Sequence, residues 1–411
     1  MAAVAGYQLG PTDEVFLEDL SRRAFLFFWE QADPHTGLVR DRARTAGTKT
    51  TGHSQEVASM ASTGFGLTAL CIAAARGWEK PALVTERVRN TLRHLAYNQP
   101  HELGWYYHFV DMRSGQRVWG CELSTIDTAL LLAGVLTAQQ FFENDAEMVR
   151  LADEIYERVD FGWMLDEATG LLRMGWLPEQ GFLRSAWVNY RENPILHMLA
   201  IASPTHPIPV QSWYLFERDP VSFEGRHWVG GGAIFTHQFP QAWLDLRGLR
   251  DGLPFRMNYF DNSIIATKAH RDYCLSLRSI FPSFSENLWG VSPSDSDIGY
   301  LTWGTFESRQ DFDGSIVPCV AAGSLMFTPE LSLAALQTML NQFGPYAYGR
   351  YGFADAFNPM SGWVNPDIVG IDQGISLISA ENLRTGRVWE WFGRSENIQR
   401  AMRRIFTPEG H

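Results

Sequence analysis

HTGLVRDR (35–42), ELGWYYHFV (102–110) and ATGLLRMGW (168–176) decide how this chain is read. Each follows a stretch of helical periodicity. Each opens on a glycine and then alternates large apolar with polar residues, the pattern of a short extended segment leading out of a helix pair. Gly37, Gly104 and Gly170 recur at an interval of about 67 residues. The 411-residue length holds about six such units. Six helical hairpins closing into a double ring make an (α/α)6 barrel, so the expectation is all-α, with short β segments and long loops over the mouth.

The flanking sequence agrees. Between Glu14 and Gln31 the residues Phe16, Leu17, Leu20, Phe25, Leu26 and Phe28 fall largely on one helical stripe. Similar stripes run over about 54–75, 82–97, 125–142, 146–159, 236–246, 259–277, 329–341, 373–382 and 396–405. Shorter candidates after Pro194 and Pro318 bring the total to about a dozen helices. No Pro/Gly/Ser-rich linker divides the chain, which reads as one domain over 1–411 with a flexible start at 1–12. The stretch 203–232, rich in proline, glycine and aromatics, reads as a long loop over the barrel mouth.

Composition narrows the function. With 34 basic against 46 acidic residues there is no excess of positive charge to neutralise phosphates, so nucleic acid is not an expected partner. The four cysteines are far apart and no Cys/His spacing suits a metal, so neither a cofactor nor a metal is expected. The longest apolar run, Ala129 to Leu136, is far short of the roughly 20 residues a membrane span needs. The opening MAAVAGYQLGPTDE has no basic region followed by a long apolar core, so no secretory signal is read there and the compartment is left open. Phosphate-loop, dinucleotide and nucleophile-elbow motifs are missing. What remains is carboxylates among aromatics and glycines, with 15 Trp in the chain. That is equipment for glycoside chemistry on a neutral glycan.

Three carboxylates stand out. Glu192 precedes a helix opened by Asn193-Pro194 and has Trp187 and Tyr190 beside it. Desolvation by those rings would raise its pKa, as a general acid requires, although the same side chain would also suit the helix dipole or an arginine partner. Asp127 completes a capping-box pattern with Ser124, yet shares a helix face with Leu123, Leu130, Leu131 and Gly134. It can cap and point inward at once. Asp372, between Gly370 and Gly374, reads as a helix cap, a general base or a carboxylate fixing a sugar hydroxyl. Glu381, nine residues on, reads as structural. Clusters that join hydrogen-bonding groups to rings supply candidate sugar contacts: His237 with Gln238, Asn262, Asp295 before Tyr300, and Asp355 to Asn358 before Trp363.

The series STIDTALLLAG (124–134), YRENPILHMLAIASPTHPI (190–208), GGGAIFTHQFPQAWLDLR (230–247), NYFDNSIIATKAHRDYC (258–274), WGVSPSDSDIGY (289–300) and GIDQGISLISAENLRTGRVW (370–389) resembles the glucoamylase-like bacterial proteins. That family includes the endo-β-1,2-glucanases of glycoside hydrolase family 144. The resemblance runs in order over roughly 13–405. It implies the same barrel and metal-free hydrolysis of β-1,2-glucan with inversion. It also implies Glu192 as general acid, Asp372 as base and Asp127 as a carboxylate of the substrate cleft. Departures from the family pattern at 293–297, at Arg191 and at Phe239-Pro240 fall where glycan subsites are expected. They bear on chain length, on endo against exo action and on linkage.

On this reading Glu192 protonates the leaving oxygen while Asp372 assists a water on the opposite face of the sugar, the two carboxyls standing apart to admit that water. Trp187, Trp289 and Trp363 are expected to stack on glucose rings. Exo action on short β-1,2-glucooligosaccharides and transglycosylation are alternatives within the same chemistry. A non-catalytic glycan-binding barrel is the alternative of another class.

Overall fold

The computed structural model describes residues 7–48, 56–304 and 312–409. Among these are thirteen α-helices and only short strands. They are α1 (Pro11–Glu30), α2 (Met60–Arg76), α3 (Pro81–Tyr97), α4 (Thr125–Phe141), α5 (Ala146–Glu157), α6 (Asn193–Ala202), α7 (Phe235–Trp243), α8 (Tyr259–Ser276), α9 (Pro318–Gly323), α10 (Pro329–Ala347), α11 (Gly370–Thr385), α12 (Arg387–Gly393) and α13 (Glu396–Ile405).

Burial sorts the helices into two rings. Helices α2, α4, α6 and α7 are buried on nearly every side, which is why a sequence such as TIDTALLLAGVLTAQQF carries one charge in its whole length. Each inner helix packs on the next in the order α2, α4, α6, α7, α9, α11, and α11 closes back on α2. Amphipathic helices lie outside: α1 against α2 and α11, α3 against α2, α5 against α4, α13 against α6, α8 against α7 and α10 against α9. This is the double ring expected from the repeat. The seven-residue α12 packs against α4, α7 and α11. Trp391 meets Phe141 at the end of α4 at 4.9 Å, and the Trp389 indole donates to the carbonyl of Gln241 near the end of α7 at 2.7 Å. Helix α12 therefore closes the C-terminal end of the inner ring.

The three repeated segments connect outer helices α1, α3 and α5 to inner helices α2, α4 and α6. Their glycines share one backbone requirement, with φ of 72° at Gly37, 85° at Gly104 and 69° at Gly170. A side chain is disfavoured there by conformation and by space, since a Cβ on Gly104 would lie 2.5 Å from the Val159 backbone. The segments end in short ladders. Residues 57–59 pair with 109–111, 123–124 with 175–176, and 42–44 with 367–369, joining the approach to α2 with the approach to α11.

Several expectations change in detail. Helix α1 starts at Pro11, within the segment expected to be flexible, and residues 1–6 lie outside the described residues. The stripe expected from 54 begins as a strand at Val57–Ser59, because those backbone groups pair with 109–111, and 54–55 lie outside the described residues. The stretch 203–232 holds a 3-10 helix at Val210–Tyr214 and a hairpin pairing 220–223 with 226–229. Glu381 is fully buried and bonds Arg76 at 2.7 Å and Thr385 at 2.7 Å, so it is structural.

Helices α2 and α4 touch backbone to backbone. A Cβ on Gly64 would lie 2.3 Å from the Leu130 carbonyl oxygen, and one on Gly134 would lie 2.1 Å from that of Gly64. Gly64→Ala is expected to cost about 3 kcal/mol, because the helices must part and the core opens with them. The unfolding midpoint in denaturant measures it; a midpoint equal to that of the wild type would contradict the close packing.

Candidate active site

The N-terminal ends of the inner helices converge on one mouth. There a cavity of about 440 Å³ opens, within the usual range for ligand sites. Ser59, which caps α2, lines it, as do Asp127 of α4, Phe235 and Phe239 of α7, and Ile371 and Asp372 of α11. The connectors add Asp41, Arg42, His108 and Phe109, a hairpin pairing 294–296 with 299–301 adds Ser294, Asp295 and Tyr300, and Asp355 completes the acidic side.

Asp127 sits in the first turn of α4, where the Ser124 hydroxyl accepts from its amide at 3.2 Å and donates to its Oδ2 at 2.5 Å. Its other oxygen faces Nε2 of His108 at 3.4 Å, while Nδ1 of His108 reaches Glu122 at 3.0 Å. Capping and inward orientation hold together, as the sequence allowed. Burial disfavours a charge on His108, but Asp127 and Glu122 outweigh it and push its pKa up to about 9. This imidazolium strengthens the fold fully below about pH 6.5, and the contribution fades as pH rises through about 9. His108→Gln is expected to remove that dependence, so that the difference in melting temperature between wild type and variant is large at pH 6 and small at pH 10. An equal difference at both would refute the charged state.

Glu192 is the N-cap residue of α6, and its side chain makes no cap hydrogen bond. Asn193 is the first residue of the helix and accepts from the Arg191 amide at 2.8 Å. Burial raises the Glu192 pKa to about 7, with a further push from the negative charge of Asp127. Glu192 stands beside the cavity lining rather than in it, near enough to Asp127 to feel its field.

Asp372 lies in the first turn of α11 and hydrogen-bonds with Asp355 and with the Cys319 thiol of α9. Asp355 is 3% exposed. Its Oδ2 accepts from Asn365 at 3.1 Å, and its Oδ1 has no conventional donor within reach. Two carboxyls in contact in a buried site cannot both ionise cheaply. Burial and the neighbouring charge hold the Asp355 pKa well up, and burial raises that of Asp372. The pair thus holds one proton, with neutral Asp355 donating to Asp372. Asn365 also donates to Asp295 at 3.3 Å, and Arg42 binds Asp295 at 2.9 Å and Asp41 at 3.1 Å. Among the described residues no cluster of His, Cys, Asp or Glu is arranged to hold a metal ion, and no helix is long and apolar enough to cross a membrane.

Of the residues singled out from sequence, the cavity brings together Asp127, Asp295, Tyr300, Asp355 and Asp372. The others do not line this cavity. Trp187 is buried and donates to Thr125 at 3.0 Å, and Trp289 is fully buried, so neither indole has a face to offer a sugar. Trp363 is half-buried and lies off the cavity. Tyr190 is buried between His237 and Tyr259. Burial lowers the His237 pKa to about 4, so the ring is neutral, within 3.4 Å of the Gly230 carbonyl. Gln238 donates to Val320 and Ser324 across to α9. Asn262 pins the strand 226–229 through both backbone groups of Val229. Asn358 closes the turn at 358–361.

Asp41, Arg42, His108 and Phe109 were missed, although the repeat carries their signal. Asp41 and His108 each stand four residues after the repeated glycine, where the connector reaches the mouth. Of the departures, Phe239 and Pro293 to Asp295 line the cavity, while Arg191, Pro240 and 296–297 do not.

The Glycoamylase family model, described as "Putative glucoamylase", matches residues 184–396. An exo β-1,2-glucooligosaccharide sophorohydrolase (non-reducing end) of Parabacteroides distasonis is 26% identical over 96% of this chain. The chain spans 58% of that relative's length. A solved β-1,2-glucanase from the same organism superposes with a TM-score of 0.87 at 25% identity, over 97% of this chain and 60% of that one. The endo-β-1,2-glucanase of Chitinophaga pinensis, solved with sophorotriose and glucose, shares the fold with a TM-score of 0.88 at 24% identity, over 96% and 98% of the two chains.

Proposed function

The chain belongs to the glycoamylase family, and from that premise we propose that it is an inverting glycoside hydrolase of β-1,2-glucan, working as one catalytic unit. The observation that carries the reading is the position of two carboxyls in the inner ring. Glu192 opens α6 and Asp372 opens α11, and three steps separate those helices either way around the ring. Carboxyls at opposite poles of a mouth leave room for a sugar and a water between them, which inversion requires.

Glu192, kept protonated up to about pH 7, delivers its proton to the leaving oxygen. Asp127, held by His108 and Ser124, supports that protonation. The Asp372 carboxylate takes the proton of the attacking water, and Asp355 steadies the carboxylate by donating to it. Arg42, Asp41 and Asp295 supply forked polar contacts for glucose hydroxyls.

The test is a time course on soluble β-1,2-glucan, read by product sizing and by the anomer first released. A ladder of sizes with the α-anomer first supports endo cleavage with inversion. Disaccharide alone from the outset favours the exo alternative, which the sophorohydrolase relative makes the second reading. Binding with no reducing sugar after prolonged incubation would replace both with a glycan-binding role.

A further inference from the structure

Trp119 is in the wrong place for a residue that serves only the fold. It stands at the tip of a tight turn, with φ of 57°, followed by Gly120 with φ of 60°. The Cys121 amide donates to the Val118 carbonyl at 3.2 Å and closes the turn. Two central residues with positive φ call for Asn-Gly or Gly-Gly. A bulky side chain in that conformation is an outlier that costs stability. The strain is not repaid by burial, because Trp119 is 55% exposed.

The turn is nevertheless held firmly. Arg117 donates to the carbonyls of Cys121 and Gly120 and binds Glu179 at 2.6 Å, tying the turn to the tip of the neighbouring hairpin 175–182. The indole stands edge to face with Phe109 at 5.1 Å, and Phe109, which lines the cavity, stacks on His108 at 3.9 Å. An exposed, strained and braced indole thus continues the aromatic wall of the cavity outward over the rim. Strain preserved in this way is what a binding site retains when the ring is needed at the surface.

We propose that Trp119 is the stacking platform of an outer glucosyl subsite, reached only by β-1,2-glucan chains that extend beyond the cavity. The indole face takes the apolar face of a neutral hexose ring. The proposal rests on the β-1,2-glucan hydrolase reading above and adds a chain-length preference to it.

Trp119→Gly separates function from fold, because glycine removes the ring and relieves the strained φ together. Its melting temperature should equal or exceed that of the wild type, while KM for long β-1,2-glucan rises about tenfold. Its kcat, and all constants on sophorotriose, should stay as they were. Trp119→Tyr, which keeps a ring, should recover most of the loss in KM. Unchanged KM on long chains would overturn the subsite and leave the hydrolase reading intact. An equal loss on short and long substrates would also overturn it, since the ring would then support the cavity wall alone. A wild-type protein that neither binds nor cleaves β-1,2-glucan would remove the hydrolase reading, and the subsite with it.

Discussion

Glu192→Gln is expected to lose about 10³-fold in kcat on β-1,2-glucan while the protein becomes more stable at neutral pH. Both effects come from one environment. Burial and the nearby Asp127 hold the Glu192 pKa at about 7, where a carboxyl keeps a proton to donate at working pH. The same shift costs stability. In the unfolded chain this carboxyl ionises near 4.5, so folding is favoured below that value and loses support as pH rises through about 7. Glutamine keeps the shape and removes the ionisation. At pH 8 it should add about 2–3 kcal/mol of stability, shrinking to little below pH 4.5. In the wild type kcat/KM should fall as pH rises through about 7, because the acid form is the one that works. Near wild-type turnover in the variant, or a gain in stability that does not depend on pH, would remove Glu192 from this role.

Asp372→Asn should be about as damaging as the loss of the acid, because the attacking water then has no carboxylate to accept its proton. The companion residue makes the assignment sharper. Neutral Asp355 donates to Asp372, and an amide donates as well as a carboxylic acid. Asp355→Asn should therefore keep kcat within about tenfold of wild type. Asp355→Ala removes the donor and should raise the pKa of Asp372, moving the acid limb of the pH–rate profile up by about one unit. The sign follows from the role: a base works only when deprotonated, so activity falls as pH drops through its pKa. If Asp355→Asn loses as much as Asp372→Asn, the proton acceptor is Asp355 and the two roles exchange.

The ring of helix pairs was legible because its connectors repeat. Gly37, Gly104 and Gly170 mark a backbone bend that no other residue makes as cheaply, and their spacing counts the units. Helix α12 was not legible, since seven residues are too few for a periodicity to show, and its rings face the barrel end rather than one stripe. Asp127, Glu192 and Asp372 could be picked out because each opens a helix, Asp127 in a capping-box pattern with Ser124, Glu192 beside aromatics and Asp372 between glycines. The tryptophans misled. An indole looks the same in sequence whether it faces a sugar or the core, and here Trp187 and Trp289 bury it. Asp41 and His108 were overlooked because a charged residue on a connector reads as solvated until the ladder 57–59 with 109–111 draws the connectors together at the mouth. The contact between Asp355 and Asp372 has no trace in the sequence, because it depends on how the loop carrying Asp355 meets the first turn of α11.

Helix α12, laid across the far end of the inner ring, makes the barrel a blind well. The cavity that Asp127, Asp355 and Asp372 line opens at the other end, at the mouth. A glucan that settles into the opening acts as a cork and strips away the last water around them. The Glu192 proton is then held more tightly in the loaded well than in the empty one. The alkaline limb of kcat should thus sit at higher pH than that of kcat/KM, and the working pH range should widen as substrate saturates.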